Sequence, residues 1–285
     1  MAQVVQGTGT ARVRTARPGD ISSLAELCRA AVGPDDYVLD YLREMLRDRV
    51  VIAAEDDGRI VAMAGVTECA DRALWIGQMR THPAYRRRGF ARRLLDYAEA
   101  RAVREGRPAL RLWASHGNIA SRTLFGRVGF REVAAFTRVT APALAGGGRP
   151  LRADRRGQET WRSWRRSLYR RAGRGYVSYH WHFLPLTLRM MRIFAGRGET
   201  LVAGRAAVLA WTEEGDDTAY ASVLAGGRDG LLAARAAAAM RGRPRVEVFL
   251  PRHGTVLAWA KATGFAPAAW GGHAVLYERR VRRSR

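Results

Sequence analysis

Residues 81–91 read Thr-His-Pro-Ala-Tyr-Arg-Arg-Arg-Gly-Phe-Ala and join two segments of different character. Before them, the apolar run Leu74–Thr81 predicts a strand, which Pro83 ends. After Gly89, apolar residues recur at the spacing of one buried helical face, at Ala91, Leu94, Leu95, Ala98 and Ala102. A strand, a basic turn and a long amphipathic helix therefore follow one another.

This turn has the features of a phosphate-binding site. Successive backbone N–H groups of residues 86–91 are predicted to point into a concavity at a helix N-terminus, where free amides and the helix dipole favour an anion. Glycine at position 89 lets the backbone approach a pyrophosphate closely. The same residue pattern occurs again at residues 170–175, but the run Tyr176–Tyr179 that follows predicts a strand, so no helix dipole is expected there.

The elements predicted around the turn alternate between strands and helices, which indicates an α/β fold with a mixed sheet. An Asp-Asp-Gly-Arg sequence at 56–59 predicts a hairpin. The predicted strands are residues 12–16, 50–55, 60–66, 109–114 and 131–139, and the predicted helices begin after Asp20 and cover 37–47 and 119–128.

The second half of the chain repeats this order in a weaker form. The strand Arg245–Pro251 and a helix ending at Gly264-Phe265 parallel the strand at 109 and a helix ending at Gly129-Phe130. We therefore expect a duplicated fold, with one domain over 1–140, a linker over 141–158 that contains Gly146-Gly147-Gly148, and a second domain over 159–285.

The phosphate turn has no counterpart in that second domain. After the predicted strand Tyr220–Ala225, Asp229 occupies the start of a helix over 231–240 and would repel an anionic ligand. This half is expected to be a scaffold that shapes a substrate cleft or a homodimer surface. The aromatic segment from Tyr176 to Phe183 is predicted as a strand that either lines that cleft or packs in a buried sheet.

The charge of the chain excludes an acidic enzyme surface. Its 285 residues include 49 Lys and Arg against 26 Asp and Glu, a net charge of +23. The excess is concentrated in residues 141–200, where 13 basic residues face 3 acidic ones. Trp161 and Trp164 recur at helical spacing among arginines, so the segment 149–174 is either a surface helix packed through its tryptophans or a basic face for RNA or another polyanion.

Composition also bounds the location. The hydrophobic content of 47% is that of a globular chain, and no run approaches the roughly 20 apolar residues that span a bilayer. Two cysteines, Cys28 and Cys69, form no disulfide framework, and no Cys and His spacing matches a metal site. We expect a cytoplasmic protein without membrane contact or bound metal.

Three segments together resemble the GCN5-related N-acetyltransferase (GNAT) family, over most of residues 10–140: the turn 81–91 with its helix, Asn118, and the run Leu124–Phe130. The resemblance implies a sheet that splays between the strands at 74 and 109, with acetyl-CoA in the gap. It also implies backbone contacts from Met79, Arg80 and Thr81, a pyrophosphate cradle, and further contacts from Asn118 and Phe125. The cradle would comprise Arg86, Arg87, Arg88, Gly89, Phe90 and Ala91.

The acid and base positions of that family are apolar in this chain, where they hold Trp75, Gly77, Met79, Trp113 and Phe125. Glu68, after the preceding strand, is the candidate catalytic carboxylate and would act through water; the alternative is a solvated loop acid. His82 and His116 are interpreted as turn residues.

The resemblance predicts an acetyl-CoA-dependent N-acetyltransferase that acts on a primary amine of a small molecule or peptide. Two alternatives stay open. One is an acceptor linked to RNA, such as aminoacyl-tRNA, which the basic middle segment motivates. The other is a non-catalytic sensor of acyl-CoA, which the missing acid and base motivate.

Overall fold

A computed structural model describes residues 11–145, 150–269 and 272–281. Contacts between residues divide them into two compact units. The amino-terminal unit comprises residues up to Leu112, Arg127–Gly129 and the segment from Glu278, and the carboxy-terminal unit comprises Trp113–Gly126 and Phe130–Tyr277. The predicted glycine run at 146–148 and Arg149 lie outside the described residues, and the boundaries at 140 and 159 stay a prediction.

The amino-terminal unit is a sheet with helices, as its sequence predicts. Its strands lie in the order β1-β2-β3-β4-β5, antiparallel except for the parallel pair β4 and β5. The elements are β1 (Arg12–Thr15), α1 (Ile21–Ala31), α2 (Val38–Arg47), β2 (Val51–Asp56), β3 (Arg59–Glu68), β4 (Leu74–Thr81), α3 (Phe90–Arg104) and the start of β5 (Ala109–Ser115), with one-turn 3-10 helices at Pro18–Asp20 and Pro83–Tyr85.

Local sequence explains these elements. Asp57 and Gly58 both have positive φ, 49° and 76°, so the predicted hairpin turn between β2 and β3 is confirmed. The apolar faces of α1 and α2 pack with β2 and β3 in one buried cluster that includes Leu24, Leu27, Leu42, Leu46 and Met63.

The end of the chain also belongs to the amino-terminal unit. The Val281 N–H donates to the Pro108 carbonyl at 3.1 Å, next to the start of β5. Arg111 on β5 donates from Nε to Glu278 Oε2 at 2.7 Å and from Nη1 to Asp71 Oδ1 at 2.9 Å. The Arg111 side chain is 3% exposed, so a buried ion-pair network ties the last strand to this unit.

The carboxy-terminal unit is built on strands in the order β15-β6-β13-β12-β11-β10-β7, with β12 and β13 parallel and a separate hairpin β8-β9. Its elements are α4 (Ile119–Arg127), β6 (Arg131–Pro142), β7 (Arg152–Ala153), α5 (Gln158–Arg166), α6 (Leu168–Ala172), β8 (Tyr176–Tyr179), β9 (His182–Pro185), α7 (Leu188–Gly196), β10 (Thr200–Ala203), β11 (Ala206–Thr212), β12 (Thr218–Ala225), α8 (Arg228–Met240), β13 (Arg245–Pro251), α9 (Gly254–Ala262), β14 (Ala266–Pro267) and β15 (His273–Arg280).

Two predictions for this unit are wrong in detail. The basic helical segment is two helices, because Ser167 adopts an extended conformation and its hydroxyl accepts from the Arg170 N–H to cap α6. The aromatic strand is a hairpin instead, because His180 and Trp181 adopt positive φ of 45° and 62° between β8 and β9.

Both units contain antiparallel strands followed by a strand, a helix and a parallel strand, which is the order expected from a duplication. That the second unit is a degenerate copy of the first stays a prediction. Across the described ranges, no helix is long and apolar enough to cross a membrane. No group of three or more Cys, His, Asp and Glu side chains that could hold a metal ion is found in that part of the chain.

Candidate active site

β4 is irregular next to the basic turn. Its Arg80 pairs with Met63 of β3, but the next pair joins Gly77 to Gly65, so Gln78 and Met79 together face a single residue of β3. Gln78 has a φ of 48°, a left-handed conformation that is uncommon outside glycine. The result is a β-bulge, in which the backbone of Gln78 and Met79 leaves the hydrogen-bond ladder.

Glycine at position 65 makes room for this bulge. A Cβ atom on Gly65 would clash with Oε1 of Gln78 and lie 3.1 Å from the terminal methyl group of Met45. The Gln78 side chain therefore packs directly over the backbone of β3. A substitution at Gly65 would displace it.

The other edge of β4 is open over most of its length. β4 pairs with β5 only at Leu74↔Leu110 and Trp75↔Arg111, and the rest of β4, from Ile76 to Thr81, has no strand partner on that edge within the described residues. The backbone of Met79, Arg80 and Thr81, predicted to contact the acyl donor, lies on this unpaired stretch. Such an edge can bind an extended ligand by main-chain hydrogen bonds.

The basic turn directly follows that edge. Arg87 and Gly89 adopt left-handed φ of 64° and 83°, and Gly89 is the N-cap of the 15-residue helix α3. The backbone N–H groups of residues 87–90 have no acceptor among the described residues. A Cβ atom on Gly89 would meet nothing within 4 Å, so glycine is favoured here by the backbone conformation and not by crowding.

The three arginines of the turn have different surroundings. Arg86 donates from Nη2 to the carbonyl of Ala31 at the end of α1, at 3.1 Å. The Arg88 guanidinium lies 5.0 Å from the ring centre of Tyr85. Arg87 is exposed and has no partner in the described part of the chain. Arg87 is therefore the guanidinium of the turn that is available to an anion.

Arg80 anchors the neighbouring loop through its side chain. Its Nε and Nη2 donate to the two oxygens of Asp36, each at 2.7 Å, and Asp36 Oδ1 also accepts from the Val38 N–H at the start of α2. Burial alone would raise the pKa of Asp36. The hydrogen bonds from Arg80 and Val38 lower it by more than burial raises it, so the pKa lies below its ordinary value. The side chain of Arg80 is thus structural.

The structure does not bring Glu68 to the bulge. Glu68 pairs with Leu74 at the far end of β4, five positions before Met79, which corresponds to about 16 Å along the strand. Its Oε2 lies 2.5 Å from Nη1 of Arg107, and its side chain is 46% exposed. His82 Nδ1 accepts from the Ala84 N–H, which is the turn contact expected for it.

Asn118 and Phe125 lie in the carboxy-terminal unit. Asn118 is exposed, and its Oδ1 accepts from the Ser121 N–H to cap α4. Phe125 is buried against Phe130 and Tyr277, with the ring centres of Phe125 and Tyr277 5.5 Å apart. The contact with Tyr277 was missed from the sequence, because no local pattern relates α4 to a strand about 150 residues later.

In the second unit, side chains of the unit itself occupy the region before α8 that corresponds to the basic turn before α3. The Tyr169 hydroxyl donates to the carbonyl of Gly227, just before α8, and Ser222 Oγ donates to the carbonyl of Ser178. Asp229 lies in the first turn of α8, as predicted. Beyond the paired part of β12 and β13, the side chains of Trp164, Tyr169 and their neighbours leave a cavity of only about 10 Å³, the room of one water molecule.

Residues 20–130 match the model of the acetyltransferase (GNAT) family. No curated protein matches the sequence.

Solved structures show the fold. A GCN5-related N-acetyltransferase from Sphaerobacter thermophilus is 16% identical, with a TM-score of 0.63 over 96% of this chain and 97% of that one. A proposed acetyltransferase from Thermoplasma acidophilum is 17% identical, with a TM-score of 0.61 over 94% and 99%. A tandem GNAT protein from the clavulanic acid biosynthesis pathway is 13% identical, with a TM-score of 0.55 over 96% and 100%.

Two of these structures each cover 96% of this chain, so the likeness in fold extends over both compact units. The family match covers the bulged strand, the basic turn and α3, which are the elements that the sequence indicated. Residues 20–130 therefore match the model of the acetyltransferase (GNAT) family, and the solved structures show that the chain shares the fold of such proteins.

Proposed function

We propose that this chain binds acetyl-CoA and transfers its acetyl group to a primary amine of a small molecule or peptide. The observation that carries the proposal is the turn at residues 87–90, where unpaired backbone amides, a helix N-terminus and the free Arg87 guanidinium coincide. The match of residues 20–130 to the GNAT family model supports acyl transfer from acetyl-CoA, and these groups suit its pyrophosphate.

The residues fit such a ligand along its length. The turn supplies hydrogen-bond donors and positive charge for the phosphates. The unpaired edge from Ile76 to Thr81 supplies N–H and C=O groups for the amide-containing arm of coenzyme A. When bound, acetyl-CoA supplies the activated thioester from which the acyl group is transferred.

The bulge gives the chain a means of stabilising negative charge. The regular pairing with β3 is interrupted at Gln78 and Met79, and we propose that backbone N–H groups there donate to a carbonyl oxygen on which charge develops. Their position is fixed by the packing of Gln78 over Gly65. Such donors need no reorganisation during the reaction, because the strand already holds them in place.

A dedicated base is not part of this proposal. Within the described residues of the amino-terminal unit, no hydrogen bond joins an Asp, Glu or His side chain to Gln78 or Met79, and Glu68 is ion-paired at the other end of β4. A thiol with a pKa of about 8.5 leaves as a thiolate with little help, but an amine must be neutral to attack. We therefore propose that α-amines, with a pKa of about 7.7–8.0, are favoured over lysine-like amines at about 10.4.

We further propose that one acetyl-CoA binds per chain. In the second unit, Asp229 and the contact of Tyr169 with Gly227 oppose a ligand at the start of α8. A cytoplasmic location and a homodimer stay proposals as well. Burial of both cysteines, Cys28 and Cys69, is consistent with a reducing compartment.

The test is calorimetry with acetyl-CoA on the full chain and on Gly89→Asp. Aspartate at position 89 adds a negative charge at the pyrophosphate and strains a left-handed residue, so we expect affinity to fall at least about 100-fold. Gly106→Asp is the matched control, because Gly106 also has a positive φ, at 61°, with nothing within 4 Å of its Cβ position. Two sites per chain, or equal affinities for both variants, would contradict the assignment.

The sensor alternative is separated by a second measurement. Release of free thiol from acetyl-CoA is followed with a panel of amines. Amine-dependent release supports the transferase, whereas binding without release with any amine supports the sensor. An acceptor linked to RNA would be indicated if aminoacyl-tRNA alone stimulated release.

A further inference from the structure

The carboxy-terminal unit carries an unusual excess of exposed positive charge. Residues 150–198 contain 12 arginines and no lysine, and all 12 are exposed. The segment contains two acids, Asp154 and Glu159. Asp154 is buried and accepts from the Thr160 N–H, and Glu159 is paired with Arg152. Eleven arginines therefore have no carboxylate partner in this segment.

The packing of α5 explains why these charges face solvent. Trp164 is 1% exposed and Thr160 is fully buried, so one side of the helix is fixed against the core. At 3.6 residues per turn, the side chains at 162, 165 and 166 fall within an arc of about 100° on the side away from Trp164. The prediction that the tryptophans pack inward is confirmed. The arginines lie on the opposite, solvent-exposed side of the helix.

The neighbouring elements extend this face. A Cβ atom on Gly157, at the start of α5, would lie 2.9 Å from the carbonyl oxygen of Met191 in α7, so the two backbones are in close contact there. Arg171 of α6 donates from Nη1 to the carbonyl of Arg166 at the end of α5. We call this region the basic surface: Arg155, Arg156, Arg162, Arg165, Arg166, Arg170, Arg171, Arg174, Arg189 and Arg192.

We infer that the basic surface binds the phosphate backbone of RNA. Like charges held on one surface repel one another, and a polyanion removes that cost when it binds. Guanidinium groups donate in a planar fork that matches phosphate oxygens. This inference concerns a second binding activity and does not depend on acetyl transfer.

The geometry favours RNA over an anionic membrane. A helix that inserts into a bilayer surface exposes its large apolar side chains, but α5 buries Trp164 and half-buries Trp161. Among the described residues of this segment, Ile193 is the exposed large apolar side chain, at 37%. The contact is therefore one of charges and hydrogen bonds.

The geometry also favours RNA over duplex DNA. The three helices are short, with nine, five and nine residues, and each is packed to the unit by its apolar face. A helix held this way is poorly placed to enter a major groove. A single strand of RNA can follow such a surface, and arginine planes can stack on its unpaired bases.

The experiment measures anisotropy of a labelled single-stranded 20-nucleotide RNA with the full chain between 50 and 200 mM salt. The variant is Arg162→Gln, Arg165→Gln and Arg166→Gln together. Each lost phosphate contact lowers the slope of log affinity against log salt by about 0.7, so we expect a decrease of about 2 in the slope. Affinity at low salt should fall at least tenfold.

The matched control has the same change of charge on the other unit, with Arg12→Gln, Arg43→Gln and Arg59→Gln, three exposed arginines of β1, α2 and β3. It should keep the wild-type slope. Equal losses in both variants, absence of wild-type binding, or tighter binding to duplex DNA or to phosphatidylserine vesicles would overturn the inference. Acetyl-CoA affinity should be unchanged in the first variant, so failure here leaves the proposed transferase unaffected.

Discussion

Replacing Glu278 with alanine tests whether the last strand completes the amino-terminal unit. Glu278 is a partner of Arg111, whose side chain is 3% exposed on β5. The substitution removes the 2.7 Å bond from Arg111 Nε and leaves the two bonds to Asp71, at 2.9 and 2.8 Å. The guanidinium thus stays buried and keeps its ion pair with Asp71.

The lost hydrogen bond from Arg111 to Glu278 sets the size of the destabilisation. One hydrogen bond to a charged group contributes about 1.5–3 kcal/mol. Complete removal of a buried partner costs about 3–5 kcal/mol, but Asp71 remains to neutralise Arg111. We therefore expect Glu278→Ala to reduce the free energy of unfolding by about 2 kcal/mol. An exposed ion pair contributes at most about 1 kcal/mol.

Urea unfolding measures the total, and hydrogen exchange locates it. Exchange should accelerate in peptides that cover residues 108–112 at the start of β5, because the strand end contacts this region. The control is Glu44→Ala, which removes an exposed partner 3.5 Å from Arg47. If Glu278→Ala shifts the urea midpoint no more than this control and exchange in β5 is unaltered, the assignment of the strand end to this unit is refuted.

Two further predictions concern titration. Because the pKa of Asp36 is lowered in the folded chain, its ion pair with Arg80 stabilises the fold above the unfolded pKa of about 3.9, and this contribution is lost as pH falls through the folded value. Asp36→Asn should therefore be less stable than wild type at pH 7, and its Tm should depend less on pH between pH 2 and 5. Parallel curves of Tm against pH for the two proteins would contradict this prediction. In the absence of a base, kcat/KM should rise with pH as the acceptor amine loses its own proton. Glu68→Gln should reduce kcat/KM by less than about tenfold. If kcat/KM reached its plateau at the same pH for two acceptors of different pKa, a group of the enzyme would set the pH profile, contrary to this prediction.

The sequence predicted those parts of the fold that short-range signals determine. Asp57-Gly58 set a hairpin because both residues tolerate positive φ, and Pro83 followed by Gly89 marked the passage from strand to helix. The basic turn could be located for the same reason, because a glycine directly before a run of apolar residues at helical spacing is a signal carried by neighbouring residues.

Features that depend on distant partners could not be predicted. The bulge places Gln78 in a left-handed conformation, and its cause is the glycine across the ladder at 65. The contact of Arg111 with Glu278 joins positions 167 residues apart. His180 and Trp181 occupy the left-handed positions of a tight turn that normally takes Asn and Gly, so propensity alone predicted a strand there.

The placement of Glu278 has a consequence for synthesis on the ribosome. The amino-terminal unit takes residues from both sides of a long insertion, so after Leu112 emerges another 169 residues must be made before residue 281 can join it. At roughly 5–20 residues per second, this delay is about 8–34 s. During that time Arg111 lacks one of its counter-ions. The amino-terminal unit therefore completes its buried ion-pair network only near the end of translation.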